Sequence, residues 1–284
     1  MRFARQSVAS ATSVAPRVAV AVLALVAASA CGTLSVQQER DLSQEFEREI
    51  RREYRFVRDP VVNEYVTRIG ESILRPLPPQ PFEYSFQVVE DDTVNAFAGP
   101  AGQIYLHSGT ILKARNVEEL SGVIAHEIGH VAKRHLAQNY EKQRAASVGK
   151  EIAVIGAGIL GGGLAASATN LATGLGVTAM LNSFSREAEE EADAFAVDAM
   201  IGAGYDPNGL PSFFETLKSE PGSGVPAFPS NHPAPADRLA ATRALIAERT
   251  LPPDLKTEDD GRFEIIQQRV ALLTQHGRSR GSTR

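Results

Sequence analysis

The chain has 284 residues, a formal net charge of −5 and a single cysteine. That length suits one domain with a substantial core once a leader is set aside. An acidic chain without a basic stripe is a poor nucleic-acid partner, and one cysteine excludes a disulfide framework.

Arg2 and Arg5 open the chain, and Arg17 precedes an apolar run from Val18 to Ala28. The run is short for a membrane span and ends in small residues, which predicts a signal peptide over 1–30. Ala28-Ser29-Ala30-Cys31 resembles a bacterial lipobox, with Ala28 where Leu is usual. The resemblance implies lipidation of Cys31, and Gly32 in place of Asp implies sorting to the outer membrane. Several acyl chains on one cysteine would anchor the protein firmly. The alternative is ordinary cleavage after Ala30 and a soluble secreted product.

Residues 31–36 are expected to be a tether. The charged stretch 37–56 and residues 61–74 are expected to be helices, and Pro76 to Pro81 a break. Tyr84 to Val89 alternates Tyr84, Phe86 and Val88, as a strand does. Ile104 to His107 follows the Gly-Pro-Ala-Gly turn at 99–102 and predicts a second strand. His107 there either points into a cleft or is buried in the sheet.

Asn116, with Glu119 three residues on, predicts a capping box that opens a helix running to about Ala146. This helix carries His126-Glu127-Ile128-Gly129-His130. Four residues apart, His126 and His130 share a face and can grip one metal ion. Glu127 lies about a hundred degrees round the helix, placed as a base beside the open coordination position. Gly122 and Gly129 are poor helix formers, so a close neighbour is expected there. His135 falls off the ligand face and is expected on the surface.

No charged residue occurs between Glu151 and Arg186, and glycines break the apolar stretch 152–182. It is expected to form a glycine-broken hairpin near the site or against lipid; a true span and a buried packing face are the alternatives. Residues 185–193 read Ser-Arg-Glu-Ala-Glu-Glu-Glu-Ala-Asp, where four glutamates compete for a third ligand position and a solvated acidic face is the bland alternative. A helix is expected within 204–218, a Pro/Gly/Ser-rich loop with His232 over 221–235, a helix over 262–275 and a disordered tail over 277–284.

Several segments carry a family likeness. His126-Glu127-x-x-His130, paired with Ser185-Arg186 and Glu189-x-x-Ala192-Asp193, resembles the two zinc motifs of the CAAX-prenyl-protease and HtpX-like metallopeptidases, which are gluzincins. Asp59-Pro60-Val61-Val62, Val94 to Ala98 with Gly102 to Tyr105, and Asn231-His232-Pro233 with Asp237-Arg238 resemble further segments. The resemblance covers about residues 35 to 245. It selects Glu189 as the third metal ligand. Asp193, on the same helix face, can then accept a hydrogen bond from the free N–H of a ligand histidine.

The resemblance implies an α+β, mostly helical, zincin-like domain over 37–276, with a small mixed sheet, an edge strand facing the substrate, and a second helix bearing the Glu ligand. It implies one Zn²⁺ per chain on His126, His130 and Glu189, with Glu127 as catalytic base. His232 is expected near the metal, where it either stabilises the oxyanion, a role Tyr205 could take instead, or closes the fourth position. Arg238 either holds a carboxylate or caps a helix. The expected function is a lipid-anchored, periplasm-facing endopeptidase of the bacterial envelope that degrades misfolded or misassembled envelope proteins. The competing expectation is an assembly factor or chaperone with a latched zinc. Expected partners are unfolded proteins and the membrane, through the lipid anchor and 152–182, and no nucleic acid.

Overall fold

Phe97 and Tyr105, both buried in the hydrophobic core, stack face to face at 5.0 Å. The structure is a computed structural model that describes residues 34–146, 184–218, 232, 235–256, 259 and 261–281. The signal peptide, Cys31, the stretch 152–182 and most of the loop 221–235 lie outside the described residues. The chain falls into two units. Leu34–Tyr140 with Leu175–Arg284 holds every labelled element below; of the other unit, residues 141–146 are described and are helical.

Helix α1 (Val36–Glu53) begins with a complete capping box: Gln38 N–H donates to the Ser35 hydroxyl, and Ser35 N–H to the Gln38 side chain. Its stripe of Leu42, Phe46 and Ile50 repeats every four residues and faces the core. Helix α2 (Pro60–Leu74) has Asp59 as cap and proline at its first position, where no N–H is needed. Val62, Tyr65, Val66, Ile69 and Ile73 form its buried face.

The mixed sheet has three strands, β1 (Ser85–Val89), β2 (Ala96–Ala98) and β3 (Gln103–His107), in the order β1-β3-β2. β1 runs parallel to β3, with Phe86 opposite Ile104, and β2 antiparallel, with Phe97 opposite Tyr105. β2 is an outer strand, but Ala96, Phe97 and Ala98 are all buried. An extended peptide would therefore have to displace what covers this edge.

Helix α3 (Ser108–Lys113) leads into α4 (Val117–Ala132), where every residue from Val117 to Val131 is buried. A helix enclosed on all sides suits its mostly apolar composition. Helices α5 (Arg186–Ala203) and α6 (Gly209–Lys218) and strand β2 pack on it. The two glycines of α4 allow the close approach. A Cβ on Gly122 would stand 2.8 Å from Leu210 Cα, and one on Gly129 3.1 Å from the Ala192 carbonyl oxygen. Helices α7 (Pro235–Ala247) and α8 (Arg262–Gly281) complete the described fold, α8 lying against α2 and α3.

Several expectations need correction. α4 does not run on to Ala146: it ends at Ala132, Lys133 and Arg134 turn, and helix resumes at His135. Arg134 has φ 57°, in the left-handed region, and its guanidinium is tied to Glu39 of α1 and to the Leu34 carbonyl. Asn116 caps α4 through the Glu119 N–H, but the capping box is not closed. Glu119 turns instead to Arg115, Ser212 and Thr216. The last helix reaches Gly281, beyond the expected 275; one glycine costs only about 1 kcal/mol and does not stop it at Gly277.

Candidate metal centre

Helix α4 presents His126 and His130 on one face, and α5 presents Glu189 towards them. His126 Nε2 and His130 Nε2 are 3.0 Å apart. Glu189 Oε2 lies 3.4 Å from the first and Glu189 Oε1 3.6 Å from the second. His232 enters from the other side, its Nδ1 at 2.8 Å from Glu189 Oε1 and 3.4 Å from His126 Nε2. One ligand atom from each of the four residues falls within 4.8 Å of all the others, and all four side chains are buried.

The arrangement fits a tetrahedral ion. Zinc bonds of about 2.0–2.1 Å place neighbouring ligand atoms roughly 3.3 Å apart, the scale of the distances here. The hydrogen-bond pattern agrees. Asp193 Oδ1 lies 2.9 Å from His126 Nδ1. A carboxylate only accepts, so Nδ1 carries the proton and the neutral ring's lone pair is on Nε2, facing His130. Two buried imidazole nitrogens meeting this closely suit a cation held between them.

Arg238 secures the second layer. It grips Asp193 through two bonds of 2.8 and 2.6 Å and pairs with Glu189 Oε2 at 2.8 Å. Its guanidinium also lies over the Phe214 ring at 4.6 Å. Phe184, just before the Ser185 cap of α5, stacks on His130 at 4.0 Å.

The electrostatics follow from burial and close charge. Burial raises the Glu189 carboxyl, but His232 and His126 outweigh it and hold the group well below the usual carboxylate range. Burial pushes the Glu127 carboxyl up, against the opposing pull of His232 and His126. His130 is held well below its ordinary value, first by burial and then by His126 and His232. Burial and Arg238 lower His126, yet hydrogen bonds to Asp193 and Glu189 prevail and push it up to about 9.

Glu127 stands beside this cluster without joining it. Its Oε1 is 3.5 Å from His232 Nε2, and among the described residues neither of its buried oxygens accepts a hydrogen bond. A buried carboxylate in that condition is costly unless it has work to do.

The structure thus brings together His126, Glu127, His130, Glu189, Asp193, His232 and Arg238. It does not bring in Tyr205, whose hydroxyl meets Ser72 of α2 at 3.2 Å. Nor does His107 face a cleft: it is buried against Tyr54 and Phe97, with Thr93 Oγ1 2.8 Å from Nδ1. His135, expected on the surface, is 2 % exposed and lies 2.9 Å from His130. Had α4 continued straight, His135 would have been about 140° round from His130; the turn at Arg134 brings it back. Sequence reasoning also missed Phe184, for which the one available signal was an apolar residue next to a helix cap.

Known proteins place this geometry. The profile described as peptidase family M48 matches residues 58–246, a span that contains all seven residues of the cluster. The putative beta-barrel assembly-enhancing protease of Vibrio cholerae is 34% identical over 218 residues, 74% of this chain and 44% of that protein. The beta-barrel assembly-enhancing protease of Escherichia coli K12 is 29% identical over 258 residues, 88% of this chain and 52% of that protein. Metalloprotease LoiP of Escherichia coli K12 is 31% identical over 188 residues, 65% of this chain and 71% of that protein. The chain spans about half the length of the beta-barrel assembly-enhancing proteases it matches. With a profile match that extends across this buried cluster, the chain belongs to peptidase family M48.

Proposed function

We propose that this chain is a zinc endopeptidase in which His126, His130 and Glu189 hold the ion and Glu127 is the catalytic base. The observation that carries this reading is the Glu127 carboxylate, buried and, among the described residues, without a hydrogen-bond donor, at the rim of a cluster of four candidate ligands. Bound zinc supplies a Lewis acid that polarises a carbonyl and acidifies water. Glu127 then takes a proton from the attacking water and delivers it to the leaving amine nitrogen. Its raised carboxyl suits a group that must both accept and release a proton. Asp193 holds His126 in the ligating tautomer, and Arg238 holds Asp193.

His232 takes the fourth place in this reading. Its ring lies between Glu127 and Glu189, where a substrate carbonyl would have to enter. The centre is therefore latched, and His232 gives way when a substrate segment arrives. The same placement suits the assembly-factor alternative only if the latch never opens.

The substrate class is proposed by analogy with the relatives. Two of them are named for enhancing beta-barrel assembly, so unfolded or misassembled proteins of the bacterial envelope are the proposed substrates. The motif likeness to the CAAX-prenyl-protease and HtpX-like branch, lipidation at Cys31, and a periplasm-facing location at the outer membrane belong to the same proposal. Among the described residues no helix is long and apolar enough to cross a membrane. The test is digestion of casein by the zinc-loaded chain beside its Glu127→Gln variant. Cleavage by the first and not the second supports the reading; equal cleavage by both removes it.

A further inference from the structure

His135 and Glu191 extend the metal cluster in a direction that neither zinc motif marks. His130 Nδ1 and His135 Nδ1 are 2.9 Å apart. On its far side, His135 Nε2 lies 3.1 Å from Glu191 Oε2. A carboxylate only accepts, so in a neutral His135 the proton sits on Nε2 and Nδ1 is left as an acceptor. His130 must then donate from Nδ1, which leaves its own lone pair on Nε2. That atom faces His126 Nε2 and Glu189. The polarity of the chain, from Glu191 through His135 to His130, prescribes one tautomer for His130, and it is the one that binds a metal.

We propose that His135 and Glu191 are positioning residues for the metal centre, a two-residue relay that fixes the tautomer and ring orientation of His130. Helix α5 then supplies one ligand and the holders of both others. Glu189 ligates, Asp193 holds His126 directly, and Glu191 holds His130 through His135. Glu189 and Asp193, four apart, share a face. Glu191 lies about 200° round the helix from Glu189, so its carboxylate is held away from the ion. An intervening imidazole bridges the gap. The turn at Lys133–Arg134 makes the bridge possible, because it returns His135 to the ligand side of α4.

This inference rests on the metal reading above, and its test separates the two. The measurement is the zinc dissociation constant of the purified full-length chain, by competition with a chromogenic chelator, with no reliance on hydrolysis. His135→Leu keeps side-chain bulk but removes the acceptor, and should weaken zinc binding roughly 10- to 100-fold. His135→Asn places an amide oxygen near the position of Nδ1 and should restore binding to within about threefold of the parent. Glu191 is largely exposed, its side chain 58% accessible, so Glu191→Ala leaves packing intact; it should weaken binding by a few-fold, roughly, and Glu191→Gln should not. Leu and Asn variants that bind zinc as tightly as the parent, or that are equally weakened, would overturn the relay and leave the metal centre standing. A parent chain that binds no zinc would overturn the metal reading itself.

Discussion

Glu39, in the first turn of α1, holds Arg134 at the end of the metal-binding helix: Arg134 Nε donates to Glu39 Oε2 across 3.0 Å. The residues are 95 positions apart, and Glu39 is 2 % exposed. Arg134 sits in backbone space that a residue with a Cβ enters only at some cost. The ion pair offsets that cost and sets the turn that delivers His135 to His130. Glu39→Ala should lower stability by about 1–3 kcal/mol, because the partner groups lose their acceptor in a mostly buried setting. Zinc affinity should fall with it. Urea unfolding and chelator competition on the same variant check both, and an unchanged affinity would break the link between turn and metal.

Glu127→Gln keeps the size of the side chain and none of the ligands changes. Zinc content should stay at one per chain, while the rate of hydrolysis falls by roughly 10²- to 10⁴-fold, the range for loss of a general base. Metal analysis beside the casein assay separates the two quantities. A variant that loses its zinc would assign Glu127 to the coordination shell.

His232→Ala removes the proposed fourth ligand and leaves three, the number a catalytic zinc centre keeps. Hydrolysis of an unfolded protein should rise and zinc affinity should fall. A large drop in hydrolysis at full zinc occupancy would instead give His232 a part in stabilising the transition state.

Gly122→Ala tests the packing of α4 on α6. Helix propensity alone would favour alanine by about 1 kcal/mol. The new Cβ, however, would stand 2.8 Å from Leu210 Cα and 2.9 Å from Leu210 N, backbone atoms that cannot swing away. Overpacking of this kind costs about 1–3 kcal/mol, so the variant should be less stable. A higher midpoint in thermal unfolding would show that α6 yields easily.

Asp59 links the start of α2 to α8, accepting from Val62 N–H at 3.1 Å and from Arg269 at 2.8 Å. The bond from Arg269 is the chief reason its carboxyl is held below the ordinary value of 3.8. A depressed carboxylate contributes stability above the unfolded-state value and loses it as pH falls through the lower, folded-state value. Asp59→Asn keeps an N-cap but not the charge. It should cost about 1 kcal/mol or less near neutrality, because Arg269 is half exposed. The difference should vanish as the pH drops below 3.8, as denaturant titrations at several pH values would show. A gap that persists in strong acid would mean the cap, not the charge, is responsible.

What was legible in the sequence was what short-range geometry controls. His126 and His130 must share a face because a helix repeats every 3.6 residues, and Asp193 must follow Glu189 on its helix for the same reason. Gly122 and Gly129 announced a close neighbour, which proved to be Leu210 on one side and Ala192 on the other. β1 could be read from alternation, and β3 from the turn that precedes it. Choosing Glu189 among four glutamates needed the family likeness, since composition treats them alike.

The tertiary structure decided the rest, because the forces concerned join residues far apart in the chain. Periodicity extended α4 through His135 and so put that ring on the surface; a salt bridge to α1 bends the chain and buries it. Tyr205 was expected as a possible partner of the oxyanion, but Ser72 of α2 meets its hydroxyl. His232 reaches Glu189 across 43 residues of sequence, and Arg238 reaches Asp193 across 45. Local sequence thus determined which helix could grip a metal. Contacts that only folding creates determined which side chains surround that helix and in which tautomer its histidines are held.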